Sequence, residues 1–165
     1  MKALKTLAVA VFATTVIAAC STSTSNPIPI MRPGKQMNQT HSVDSRYTFD
    51  ETVNRLQNAV KEKGMNVFAV IDHQAAAKES GLDMQPAKVI VFGTPKAGTP
   101  LMVKDPEFAL QLPLRVLVTE ADGRVKVVFN DTRALIAGSK IDYAEVENAL
   151  ANAEKLIRKV AIINK

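Results

Sequence analysis

The sequence predicts a small α+β domain, with a mixed or antiparallel sheet packed against helices, behind an export segment and a flexible linker. Three observations predict it. Asp122-Gly123 stands between two apolar runs, Leu114–Glu120 and Arg124–Asn130, and Asp-Gly in that setting is a strong hairpin signal because both residues tolerate positive φ. Segments with helical spacing, bounded by capping residues and glycines, alternate with strand-like runs. About 125 residues follow the linker, enough for one domain with one core.

Met1–Ala19 reads as a signal segment. Lys2 and Lys5 precede an apolar core, Leu7–Ile17, interrupted only by Thr14 and Thr15. The run is too short for a stable spanning helix and ends in small residues, as an export signal does. Val16-Ile17-Ala18-Ala19-Cys20 resembles a bacterial lipoprotein cleavage box. The resemblance implies cleavage before Cys20 and acylation of its thiol, so that the protein is held at a membrane by lipid. Ser21 in the next position implies the periplasmic face of the outer membrane, in an organism that has one. An ordinary signal peptide cut near Ala19 is the alternative. Cys20 is the sole cysteine, so acylation leaves no disulfide, no thiolate metal site and no cysteine nucleophile.

Residues 20–40 form the acylated cysteine and linker. The run STSTSNPIPIMRPGKQMNQT is rich in Ser, Thr, Asn and Pro and has no apolar period. The domain then occupies residues 41–165. The whole chain carries +5, which falls by two when Lys2 and Lys5 are removed. No basic run is interleaved with aromatics, so nucleic acid is not an expected partner.

Within the domain, Thr40–Arg46 reads as a short strand. Thr48 caps a helix, with Glu51 three residues on to complete a capping box. Val53, Leu56 and Val60 form its apolar face and Gly64 ends it. Met65–Ile71 is apolar on both faces apart from Asn66, which predicts a central strand. Asp72 caps the next helix, His73–Ser80, which Gly81 stops. Val89–Phe92 is a second buried strand. Asp105-Pro106-Glu107 opens a short helix, and the Asp122-Gly123 hairpin follows. A last helix is expected from Tyr143 to Val160. Its stripe of Tyr143, Val146, Leu150, Ala153, Ile157 and Val160 packs on the sheet or, alternatively, against a second copy.

Between the second strand and the Asp105 helix lies Phe92–Met102, FGTPKAGTPLM, the densest mixture of turn chemistry and polar groups in the chain. Gly93 and Gly98 echo a phosphate loop, but Gly98 is followed by Thr99 and Pro100 where that motif requires Lys and Ser/Thr. What remains is a glycine-rich turn into a helix capped by Thr99 with Pro100 first, whose free N–H groups and Lys96 suit an anion. A plain tight connection is the alternative.

This stretch, followed by LPLRVLV at Leu112–Val118, resembles the bacterial family known as domain of unknown function 302. YTFDETVNRL at Tyr47–Leu56, the Ile71-Asp72-His73 step and Phe129-Asn130-Asp131 match the same pattern. The resemblance spans about Val43 to Ser139. It implies a small α+β domain and a homodimer, and brings no established reaction.

Chemistry is sparse. There is no Gly-x-Ser-x-Gly elbow, no His-Glu-x-x-His pair and no cofactor fingerprint. Two distant histidines make a poor metal site, so neither metal nor cofactor is expected. His41 lies at the linker boundary and is expected to be solvated. His73 follows a strand and opens a helix, where sheets often bind ligands. Arg115 interrupts an apolar strand and calls for a carboxylate, an anion or an edge. If the sheet gathers His73, Lys96, Gly98, Thr99, Arg115 and Asp131 at one rim, they form a polar ligand-binding pocket. Two readings follow: an envelope module that binds a small anionic ligand or an envelope protein without catalysis, and a small enzyme using His73 as acid or base with an anion held by the Gly93–Thr99 loop.

Overall fold

Five antiparallel strands in the order β1-β5-β4-β3-β2 form one sheet, and helices lie against it. The computed structural model describes residues 39–162. The signal segment, Cys20 and residues 21–38 of the linker expected over 20–40 lie outside the described residues, and Thr40 at its end already belongs to β1.

The chain begins with β1 (Thr40–Asp44), which pairs with β5 (Arg124–Asn130). Helix α1 (Phe49–Glu62) follows, with the Thr48 side chain accepting from Glu51 N–H. Val53, Leu56 and Val60 are buried on one face of it. Gly64 adopts φ +71, the left-handed conformation that closes the helix at little cost only for glycine. Strand β2 (Asn66–Asp72) leads into α2 (His73–Glu79), whose first turn is capped by Asp72 Oδ1 accepting from Ala75 N–H at 2.9 Å. Strand β3 (Ala87–Gly93) pairs with β2 on one side and with β4 (Leu114–Ala121) on the other. The β4–β5 hairpin turns through Asp122 and Gly123, both at positive φ, as the Asp-Gly pair predicts.

The core face of the sheet carries Ile90, Phe92, Val116, Val118, Val127 and Phe129, all nearly inaccessible. These residues meet Leu56 and Val60 of α1 and Ala153, Ile157 and Ala161 of α6 (Leu150–Ile162). A second, smaller cluster of Leu101, Phe108, Ile141, Val146 and Leu150 lies beside the first.

Four expectations are corrected. Strand β2 is an edge strand, not a central one. It pairs only with β3 among the described residues, and Phe68, Val70 and Ile71 are 41–51 % exposed. Of its apolar run, Phe68 lines the cleft described below, while Val70 and Ile71 are simply exposed. The second correction concerns residues 93–99, which are not a glycine-rich loop. Helix α3 spans Pro95–Lys104, starting five residues earlier than Thr99-Pro100. Thr94-Pro95 carries the same cap-plus-proline pattern and comes first in the chain. Gly98 then sits inside the helix, and Pro100 falls in its interior, where it offers no N–H to the preceding turn.

The third correction is at the C-terminus. The expected single helix is broken into α5 (Tyr143–Val146) and α6, with a turn at 147–149. Ala149 N–H reaches back three residues to Val146 O at 3.1 Å, a tighter turn than an α-helix makes. Asn148, a weak helix former, occupies the break. The fourth concerns His41, which is only partly solvated: its side chain is 29 % exposed, but its Nε2 is buried. It lies on the core side of β1, its ring 5.5 Å from that of Phe129. Two short elements complete the chain: a 3₁₀ segment (Pro106–Gln111) opened at Asp105, and α4 (Thr132–Ile136) capped by Asp131.

Candidate functional site

The placement of α3 opens a cleft between that helix, α6 and the β2–β3 end of the sheet. Ala97 and Gly98 both donate their backbone N–H to Thr94 O, at 3.1 and 3.0 Å, which starts the helix directly after β3. At Gly98 the helix comes close to the chain leading into β4: a Cβ there would lie 3.3 Å from Leu112 Cδ1. At Gly93 a Cβ would meet Phe68 and Pro113 at 3.8 Å, an ordinary contact. The last turn of α3 is tied to α5 by Lys104 Nζ, which donates to Glu145 Oε2 at 2.6 Å.

The cleft has a volume of about 690 Å³, within the range of about 300–1,000 Å³ common for small-molecule sites. Its walls are apolar. Met65 comes from the residue before β2, Phe68 from β2, Met102 from α3, Leu112 and Leu114 from the entry to β4, and Leu150 and Leu156 from α6. Polar groups are confined to a few positions: Thr94 and Thr99 on one side, Asn148 and Asn152 on the other. Three lysines, Lys63, Lys155 and Lys159, complete the lining, and no carboxylate belongs to it among the described residues. All three lysines are exposed. Long lysine stems run along apolar surface while their ammonium groups stay in water, so this arrangement makes an apolar slot with a cationic rim.

The rim expected from the sequence is not assembled. His73 is exposed at the start of α2, beside the end of β2 that pairs with Lys88. Lys96 lies at the other end of the same ladder, just beyond Gly93, which pairs with Asn66. The two ends are about 20 Å apart, from seven residues of extended chain at about 3.3 Å each. Lys96 is exposed and is not among the cleft-lining residues. Arg115 is exposed on the face of the sheet opposite the core, in register with Val91. Asp131 caps α4 and faces His41 on β1. Of the six residues, Gly98 and Thr99 line the cleft. The lysines of the rim were missed because Lys155 and Lys159 on α6 and Lys63 just after α1 are ordinary solvent-facing positions until α3 is placed opposite them.

The family model described as domain of unknown function DUF302 matches residues 41–162. The chain belongs to the DUF302 family. The DUF302 fold is seen in the crystal structure of an uncharacterized conserved protein from Bacillus stearothermophilus. That structure covers 74% of this chain and 95% of its own, with a TM-score of 0.63 and 23% identity. Among curated proteins, the DUF302 chain is 43% identical over 91 residues to the fluoride-specific ion channel FluC 1 of Brucella suis biovar 1 (strain 1330). It matches FluC 1 of Brucella abortus biovar 1 (strain 9-941) to the same extent. The alignments cover 54% of this chain but only 36% and 34% of those relatives, so the chain spans about a third of the length of the curated relatives it matches. No helix among the described residues is long and apolar enough to cross a membrane.

Proposed function

We propose that this DUF302 protein is an envelope lipoprotein whose folded domain binds, without catalysis, a small amphiphile: an apolar body with one anionic head. The single observation that carries the reading is the composition of the cleft. Leucine, methionine and phenylalanine side chains form its walls, three lysines stand at it, and no acidic residue opposes them among the described residues. Burial of an apolar chain supplies the affinity, at about 25 cal/mol per Å² removed from water. The lysines select a carboxylate, phosphate or sulfate head over a neutral one and raise the rate of encounter.

The anchor half of the proposal rests on Val16–Cys20 and on Ser21. It places the domain at the periplasmic face of the outer membrane, where amphiphiles are abundant. The channel named for the Brucella relatives is not carried over, because the shared segment is about a third of those proteins.

Calorimetric titration with dodecanoate and, in parallel, dodecanol tests the binding half. Saturable one-to-one binding of the acid, at least several-fold tighter than the alcohol, is the expected result. Equal or absent binding of both overturns it. For the anchor, labelled palmitate should be incorporated into the full-length protein and lost in Cys20→Ser; incorporation into neither rejects it.

A further inference from the structure

We propose that His41, Asp131 and Glu154 form a binding site for a divalent first-row transition metal. The site is separate from the cleft. None of the three residues lines the cleft, although Glu154 lies on α6 between Ala153 and Lys155, which do.

Three elements distant in sequence converge here. His41 comes from β1, Asp131 from the junction of β5 and α4, and Glu154 from α6. Each carboxylate has one oxygen held by the fold and one left over. Asp131 Oδ1 accepts from Ala134 N–H at 2.9 Å as the cap of α4. Glu154 Oε2 accepts from Thr132 N–H at 3.1 Å and from the Thr132 hydroxyl at 2.8 Å. The remaining oxygens, Asp131 Oδ2 and Glu154 Oε1, lie 2.9 and 3.0 Å from the same atom, His41 Nε2. All three atoms fall within 4.8 Å of one another.

A hydrogen bond does not account for this arrangement. His41 Nε2 is buried and, despite the short distances, has no hydrogen-bond partner of acceptable geometry. An imidazole nitrogen has one in-plane direction, and neither carboxylate oxygen lies along it. Two carboxylates also face one another here, and the only ion pair to them from an arginine or lysine among the described residues is a long one, Arg158 to Glu154 Oε1 at 3.7 Å. A dication satisfies both conditions. It accepts the imidazole lone pair and both free carboxylate oxygens, and it balances their charge. The spacing agrees, because ligands bonded at about 2.1 Å and 90° apart are themselves about 3.0 Å apart. The hydrogen bonds from Ala134 and Thr132 are of the kind that orient metal ligands from outside the coordination shell. One nitrogen and two carboxylate oxygens suit manganese, iron, cobalt or zinc rather than the soft metals that thiolates select. The side chains are 20–29 % exposed, which leaves water able to complete the shell.

The test uses untagged protein treated with a chelator, dialysed and titrated with Co²⁺, then with Mn²⁺ and Zn²⁺. Co²⁺ gives a visible absorption spectrum that reports its ligands. Wild type should take up one equivalent and show d–d bands, and its thermal midpoint should rise with metal concentration. His41→Gln, Asp131→Asn and Glu154→Gln should each weaken Co²⁺ binding at least tenfold. Glu154→Gln keeps an oxygen to accept from Thr132, so its unfolding midpoint without metal should stay near wild type; it serves as the variant in which lost binding is not lost folding. The proposal is overturned if wild type shows no d–d bands and no midpoint shift with any of the three metals. It is equally overturned if all three variants bind as wild type does, or if His41 is a protonated imidazolium by nitrogen NMR whose signals do not move when metal is added.

Discussion

Gly98 on α3 and Leu112 at the entry to β4 approach so closely that a Cβ at position 98 would lie 3.3 Å from Leu112 Cδ1. The same Cβ would be 3.9 Å from Met102 Cε, and both neighbours belong to the cleft. The position is helical, so alanine gains up to about 1 kcal/mol of intrinsic helix preference over glycine. The contact is with the far end of a flexible leucine, which can give by a few tenths of an ångström. Gly98→Ala is therefore expected to leave stability equal or slightly higher in urea titrations, while dodecanoate affinity falls several-fold. A loss of stability without a change in affinity would contradict this.

The lysine ammonium groups act on an anionic head through charge. Lys63, Lys155 and Lys159 are exposed, and contacts of that kind are worth about 0.2–1 kcal/mol each and are screened by salt. Changing all three to glutamine should weaken dodecanoate binding roughly tenfold or more at low ionic strength and much less in about 0.5 M salt, where screening is strong. Dodecanol binding should not change. Calorimetry at two salt concentrations separates these outcomes.

Acid should weaken two carboxylate contacts, one of which ties α3 to α5 beside the cleft. The hydrogen bond from Lys104 holds the Glu145 carboxyl below the usual carboxylate range and holds the Lys104 ammonium above its own. Asp72 is likewise lowered, first by the Ala75 N–H that it accepts and then by Lys88. A carboxyl with a lowered folded-state pKa contributes stability that is present above its unfolded value and is lost as pH falls through the folded one. Lys104 runs the other way: its contribution is present below the ordinary lysine value and is lost only as strong alkali passes the raised one. The contribution of these contacts should thus be flat near neutrality and decline below about pH 4. Lys104→Met should lower the thermal midpoint slightly at pH 7, and the difference from wild type should shrink as pH falls below about 4 and Glu145 takes up its proton.

Burial predicts the strongest and weakest apolar substitutions. Leu56 is 1% exposed within the main core, and Val103 is 77% exposed on α3. Leu56→Ala should cost about 2–5 kcal/mol of unfolding free energy. Val103→Ala should stay within about 0.5 kcal/mol. Urea unfolding with an unchanged slope checks both.

Much of the fold was legible in the chain because local chemistry and tertiary position agree. Thr48 and Asp72 cap the helices that they precede, Gly64 and Gly81 end them at positive φ, and Asp122-Gly123 makes the hairpin. The misreadings share a cause: the same local signal had two tertiary outcomes. An apolar run such as Met65–Ile71 marks either a strand covered on both faces or an edge strand with one face exposed. Two Thr-Pro pairs, at 94–95 and 99–100, offer two helix starts, and only packing of Gly98 against Leu112 distinguishes them. The site was less legible still. His41, Asp131 and Glu154 lie on three separate elements and share no spacing motif. One signal was present in the sequence: in THSVD, His41 falls on the same side of the strand as Val43, which faces the core.

The measurement that tests the cleft most directly uses the absence of tryptophan from the chain. Leu156→Trp puts the sole indole on the cleft wall. Titration with cis-parinaric acid, a fluorescent fatty acid, then reports occupancy by energy transfer from that indole. Transfer should saturate at one equivalent and be displaced by dodecanoate at several-fold lower concentration than by dodecanol. Transfer that never saturates, or none at all in a variant that keeps the wild-type circular dichroism spectrum, would contradict the assignment of the cleft as an amphiphile-binding site.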